Sequence, residues 1–246
     1  MANGYVAELF RSFQGEGPLV GVYQLFLRMA GCSLGCTYCD TAWARERVAD
    51  CSIRGTGKEE RLANPVDVDE LLAAIEGAVE APPRVHSLSV TGGEPLEQSE
   101  FLSELLRRFR TRAVPVYLDT NGLDREAAEE IAPLVDIVAL DIKLPSLCGR
   151  ADAFDLYGRV LPIFGSRDLF CKIVIAEGFE MDELAEAARI VGAFERGTPV
   201  VIQPATPRAG AARIDADTLL RCYLTAVEHL DDVRVIPQCH TILGVE

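Results

Sequence analysis

Three cysteines share one ten-residue stretch, Gly31-Cys-Ser-Leu-Gly-Cys-Thr-Tyr-Cys-Asp40, where Cys32, Cys36 and Cys39 fall at the spacing C-x3-C-x2-C. Thiolates this close on a short loop can converge on one soft metal centre: zinc, copper(I) or an iron–sulfur cluster. Three ligands leave one coordination position open. A structural zinc site normally closes with a fourth ligand, whereas the open iron of a four-iron cluster can bind a substrate or cosubstrate. Five other cysteines, Cys51, Cys148, Cys171, Cys222 and Cys239, stand alone. An isolated thiol usually behaves as a small buried hydrophobe, as Cys171 should within Leu169 to Ala176. Cys51, near the cluster loop, and Cys239, beside His240, are less settled.

The chain has 246 residues, enough for a sizeable core, and carries 24 Lys and Arg against 38 Asp and Glu, a net charge of −14. That excess argues against gripping a phosphate backbone and for a small-molecule or protein partner, with no nucleic acid. No stretch approaches the roughly 20 apolar residues that span a bilayer, and Met1-Ala-Asn-Gly-Tyr5 lacks the basic and apolar regions of a signal peptide. A cytoplasmic protein with no membrane partner is expected, and in that reducing compartment eight cysteines do not imply disulfides.

The elements that must position the cysteines begin with a short strand at Tyr5 to Phe10 and a turn through Arg11-Ser-Phe-Gln-Gly-Glu-Gly-Pro18. Val22 to Met29 reads as a strand that delivers the chain into the cysteine loop. Arg45 to Pro65, charged and containing Gly55-Thr-Gly57, reads as an irregular insertion able to serve as a lid. Helical spacing follows over Val66 to Val79, then a strand over Val85 to Val90. The alternation continues with helix 97–110, strand 114–118, helix 124–132, strand 137–140, helix 151–162, strand 169–176, helix 181–195, strand 199–203, helix 215–230 and strand 233–236. Strands alternating with helices predict parallel βα units with right-handed crossovers. The expected fold is a single α/β domain over residues 1–246, an incomplete (β/α)6 barrel with an additional N-terminal strand. The pattern alone does not separate this barrel from a doubly wound sheet.

In such folds ligands collect at the carboxyl ends of the strands. The cysteine loop, Thr91-Gly-Gly-Glu94, Asp119-Thr-Asn-Gly122, Asp141-Ile-Lys143 and Gln203-Pro-Ala205 each follow a predicted strand, so one shared pocket is expected.

Together these residues resemble the radical S-adenosylmethionine enzymes, through C-x3-C-x-Tyr-C at Cys32 to Cys39 and Gly92-Gly-Glu-Pro95. Within them the chain is similar to the 7-carboxy-7-deazaguanine synthase family, through Ser12-Phe-Gln-Gly-Glu-Gly17, Arg28-Met-Ala-Gly-Cys32, Cys39-Asp-Thr41, Thr91-Gly-Gly-Glu-Pro-Leu96 and Pro237-Gln-Cys-His-Thr-Ile-Leu-Gly244. The resemblance implies a radical-SAM fold and a 4Fe-4S cluster on Cys32, Cys36 and Cys39, with S-adenosylmethionine on the fourth iron. It implies a carbon–nitrogen lyase of queuosine and deazapurine biosynthesis. The reaction would contract the ring of 6-carboxy-5,6,7,8-tetrahydropterin to 7-carboxy-7-deazaguanine with loss of ammonia.

By the same resemblance the backbone of Gly92, Gly93 and Glu94 would meet the methionyl amino group, and the backbone beside Tyr38 the adenine. Asp119, Asn121, Asp141, Lys143 and Gln203 complete the cosubstrate site. Gln14, Gly15, Glu16, Arg28, Thr91 and His240 would meet the pterin: Glu16 suits its aminopyrimidinone edge and Arg28 its carboxylate. Thr41 would ligate Mg2+. A flavodoxin or ferredoxin donor and a homodimer are implied as well.

The family often has Glu-Thr-Asn-Gly where this chain has Asp119-Thr-Asn-Gly122, and Leu140-Asp-Ile-Lys-Leu-Pro-Ser146 also resembles glycyl-radical activases. Such an activase, a synthase-like enzyme with a changed substrate, and a zinc-stabilised interaction module closed by Cys51 or another residue are the alternatives.

Overall fold

The computed structural model describes residues 2–54, 59–109, 113–207 and 213–245. The chain begins with β1 (Asn3–Gly4), β2 (Val6–Phe13) and β3 (Tyr23–Met29). A hairpin of β4 (Asp50–Ile53) and β5 (Glu60–Ala63) follows, and then β6 (Val66–Asp67), α1 (Val68–Glu80), β7 (Leu88–Gly92) and α2 (Ser99–Phe109). Next come β8 (Val116–Thr120), α3 (Arg125–Ile131), β9 (Ile137–Asp141), α4 (Pro145–Cys148), α5 (Ala153–Phe164) and β10 (Asp168–Ile175). The last are α6 (Met181–Phe194), β11 (Val200–Pro204), α7 (Ala216–Val227), β12 (Val233–Val235) and α8 (Cys239–Leu243). Aspartates set three helix starts: the side chains of Asp67, Asp124 and Asp215 accept from the N–H groups of Asp69, Ala127 and Thr218.

One ten-stranded sheet runs β12-β11-β10-β9-β8-β7-β3-β2-β4-β5. From β3 through β12 the neighbours are parallel. Six of these strands have five to eight residues and the edge strand β12 has three, in keeping with an open six-unit barrel. The N-terminal strand β2 adds antiparallel to β3.

The insertion is more regular than its sequence suggests. Its β4 pairs parallel with β2, β5 returns antiparallel, and Cys51 is fully buried in the core. Charged residues on a short edge strand suppress the apolar alternation by which a strand is read, while protecting the edge. Gly55-Thr-Gly57 lies outside the described residues. Residues 237–244, with no element assigned from sequence, contain α8.

Alternation along the strands builds two cores. One face of the sheet, with Leu27, Val90, Leu118, Leu140, Ile173 and Ile202, packs against the helices. The inner face carries a smaller apolar cluster of Tyr117, Ile137, Ala139, Phe170 and Val201. Two positions further along the same face stand Asp119, Asp141, Lys172 and Gln203. Apolar residues therefore plug the barrel and polar residues cover the plug.

Tyr157 on α5 ties down the turn after β9: its hydroxyl accepts from Lys143 N at 2.8 Å and donates to the carbonyl of Asp141 at 3.2 Å, fully buried. Tyr157→Phe leaves that N–H unpaired and should cost about 1–3 kcal/mol in urea unfolding. Unchanged stability would refute this anchoring.

Candidate functional site

The cysteine loop leaves β3 and lies on the end of β7. Gly93 N donates to Met29 O at 3.0 Å and Glu94 N to Gly31 O at 2.8 Å. A Cβ on Gly93 would stand 2.0 Å from Gly31 O, and Gly92 has φ +110°, a conformation that glycine supplies without strain. On the far side Gly31 N and Cys32 N donate to the carbonyls of Ala44 and Arg45 at 2.8 and 3.0 Å, and Ser33 binds Glu97 through both N and Oγ.

With their N–H groups committed, Gly93 and Glu94 can offer a ligand only backbone acceptors, which suits an amino group. The Glu94 side chain turns into the wall, accepting from Thr120 Oγ1 at 2.5 Å, Asn121 N at 2.8 Å and Leu96 N at 3.0 Å. Burial pushes its carboxyl up to about 7 despite these three donors.

Cys32, Cys36 and Cys39 are half-buried thiols lining one cavity of about 520 Å³. Burial, reinforced by Glu94 and Glu97, pushes the Cys32 thiol up to about 11, so metal loading must displace its proton. Among the described residues the trio whose ligand atoms all lie within 4.8 Å of one another is Glu16, Asp40 and His240, not the cysteines. Cys51, in the core away from this cavity, does not supply a fourth ligand.

Across the cavity, a buried chain runs from Gln14 Nε2 to Gln24 Oε1 at 3.0 Å and from Gln24 Nε2 to Ser87 Oγ at 2.9 Å, fixing the loop that carries Glu16. Glu16 accepts from Lys172 Nζ at 2.7 Å and Gln238 Nε2 at 3.0 Å. Burial opposes its charge, but Lys172 and Gln238 outweigh that and hold its carboxyl at about 2. Lys172 also donates to Asp119 Oδ2 at 3.0 Å. Asp119 is pushed up by burial, against the pull of Lys172, and Glu16 adds to the rise. Gln238 reaches Asp40 Oδ2 at 2.8 Å, and His240 Nε2 lies 3.7 Å from the same oxygen. Gly15 is required because His240 packs on it: a Cβ there would meet His240 Cβ at 2.5 Å.

At the third wall Lys143 Nζ donates to Asp141 Oδ2 at 2.7 Å and to Tyr38 Oη at 3.2 Å. Asp141 Oδ1, Gln203 Oε1 and Ser89 Oγ are buried without a hydrogen-bond partner among the described residues, and all three residues line the cavity. Orphaned polar atoms are rare in protein interiors and here mark positions suited to a polar ligand. Thr41 Oγ1 lies 3.8 Å from Cys39 Sγ.

Every site residue named from sequence, from Gln14 to His240, lines this one cavity. Sequence reading missed Lys172, Gln238, Asp40, Glu8, Arg54 and Ser89. Lys172 had a signal, a lone cation in an otherwise apolar strand, where burial demands partners. Replacing it as Lys172→Met leaves Glu16 and Asp119 facing each other without a cation, a loss of about 3–5 kcal/mol near neutral pH. Both carboxyls then bind protons more readily in the folded than in the unfolded chain, so the deficit should shrink as pH falls towards 5. Urea unfolding at two pH values tests this; a deficit independent of pH contradicts it.

A family model described as the Radical SAM superfamily matches residues 26–146. A 7-carboxy-7-deazaguanine synthase of Geobacter sulfurreducens is 39% identical over 241 residues, covering 96% of each chain. One from Archaeoglobus fulgidus is 33% identical over 244 residues, covering 97% of each. The crystal structure of QueE from Escherichia coli superposes with a TM-score of 0.62 over 97% of this chain and 95% of that one, at 20% identity. With the cysteine loop seated on Gly92 and Gly93 beneath a polar cavity, the chain belongs to the 7-carboxy-7-deazaguanine synthase family of radical S-adenosylmethionine enzymes.

Proposed function

We propose that this protein converts 6-carboxy-5,6,7,8-tetrahydropterin to 7-carboxy-7-deazaguanine with loss of ammonia, in queuosine and deazapurine biosynthesis. The observation that carries the reading is a single cavity lined both by the three cysteines and by Gln14, Glu16, Arg28, Thr91 and His240. When bound, the 4Fe-4S cluster and S-adenosylmethionine supply the one-electron chemistry that starts the reaction.

The chain's own residues hold and orient. Cys32, Cys36 and Cys39 suit the cluster, and acceptors on the Gly92 to Glu94 backbone suit the methionyl amino group. The Lys143 ammonium suits the methionyl carboxylate. Open acceptors on Asp141 and Gln203 suit donor groups of the same molecule. Glu16, kept ionised by Lys172, suits the donor-rich aminopyrimidinone edge, and Arg28 can meet the carboxylate with both terminal nitrogens. Thr41, beside Asp40, offers hard oxygen to Mg2+. A cytoplasmic homodimer supplied by a flavodoxin or ferredoxin completes the proposal, with exposed Leu220, Tyr223 and Leu224 on α7 as an apolar face for a second copy.

Anaerobic reconstitution with iron and sulfide, followed by S-adenosylmethionine, reductant and the pterin, should yield ammonia and the deazaguanine. An intact cluster without pterin turnover would overturn the substrate, and a colourless protein with stoichiometric zinc the chemistry. Cys36→Ala should abolish cleavage of S-adenosylmethionine. Glu16→Gln should retain the cluster and weaken pterin binding tenfold or more by calorimetry; unchanged affinity rejects the Glu16 contact.

A further inference from the structure

Four permanent cations, Arg28, Arg54, Lys143 and Lys172, line the cavity. Lys143 is matched by Asp141, and Lys172 by both Glu16 and Asp119. Arg28 and Arg54 share one carboxylate: Arg28 Nε donates to Glu8 Oε1 at 2.6 Å, and Arg54 Nη2 to Glu8 Oε2. Glu8 is nearly buried, at 8% side-chain exposure.

Both guanidinium groups also lie over Phe10, with their carbons 5.4 and 5.6 Å from the ring centroid. Phe10 in turn stacks on Phe26 at 5.1 Å. The aromatic pair and Glu8 thus hold the two cations side by side, and both border the same cavity. Arg54 is no stray surface residue: its N–H donates to Leu9 O at 2.8 Å, and the β4–β2 pairing fixes the strand that delivers it. Its side chain retains 34% exposure, and Arg28 has only its Nε committed among the described residues.

We infer that Arg54 is a second carboxylate-recognition residue, which with Arg28 forms a two-guanidinium clamp selecting a substrate that bears a carboxylate. This rests on the pterin reading above and adds a specificity role for the β4–β5 insertion. Paired guanidinium groups match a planar carboxylate in geometry and charge better than either one alone. Glu8 positions the clamp by holding both guanidinium groups on one carboxylate.

The test is calorimetric binding to the cluster-loaded protein with S-adenosylmethionine and without reductant, using 6-carboxytetrahydropterin and a tetrahydropterin lacking the carboxylate. Arg54→Met should weaken the carboxylated ligand tenfold or more and the uncarboxylated one less than twofold, with Arg54→Lys intermediate. Retained affinity for the uncarboxylated pterin reports that the variant is folded. Equal losses for both ligands, or no loss for either, overturn the clamp. Failure of the unaltered protein to bind either pterin rejects the substrate reading itself and removes the clamp with it.

Discussion

The site depends first on a contact between two backbones with no side chain between them. Gly93 meets Gly31 so closely that any Cβ would overlap a carbonyl oxygen, and two hydrogen bonds join the strand end to the loop. The cysteine loop is consequently placed by β7 and by the Ala44 and Arg45 carbonyls, and not by whatever its sulfurs come to hold. Ligands arranged in advance lose little conformational freedom when a metal arrives.

Above the apolar plug, the inner face of the sheet stacks charges that are each intelligible only with their partners. A buried ammonium alone would shed its proton; Lys172 keeps it because two carboxylates approach within 3.0 Å. In return it allows Glu16 to stay ionised although its side chain is largely withdrawn from solvent. Such clusters are weak sources of stability but strong sources of definition, since removing one member leaves a charge stranded. The floor of the cavity is therefore rigid electrostatically as well as sterically.

Much of this was legible in the sequence. The cysteine spacing, the strand–helix alternation and the polar residues at successive strand ends gave the parallel barrel and one shared pocket, because short-range spacing carries those signals. Lys172 escaped because a parallel strand buried on both faces shows no alternation to mark which side chains turn inward. Glu8 and Arg54 escaped for a different reason: they are 46 positions apart and meet only through strand pairing across β2 and β4. Gln238 pairs with Glu16 across 222 positions, which no local pattern can register.

That last separation bears on the order in which the molecule can be assembled. Docking of the first part of the cysteine loop, Gly31 to Ser33, needs only residues 29–97, so these contacts can close early as the chain is synthesised, whereas Thr37 N must wait for the carbonyl of Leu147, which it reaches at 3.0 Å. The wall with Glu16 stays open until Gln238 and His240 return to it across the whole barrel, at a higher cost in loop closure. The start of the loop is accordingly placed by local contacts, its remainder by Leu147, and the Glu16 wall by the C-terminal segment. The cavity is therefore finished only when residues from both ends of the chain have met, and the loop that carries its cysteines only when α4 has joined it.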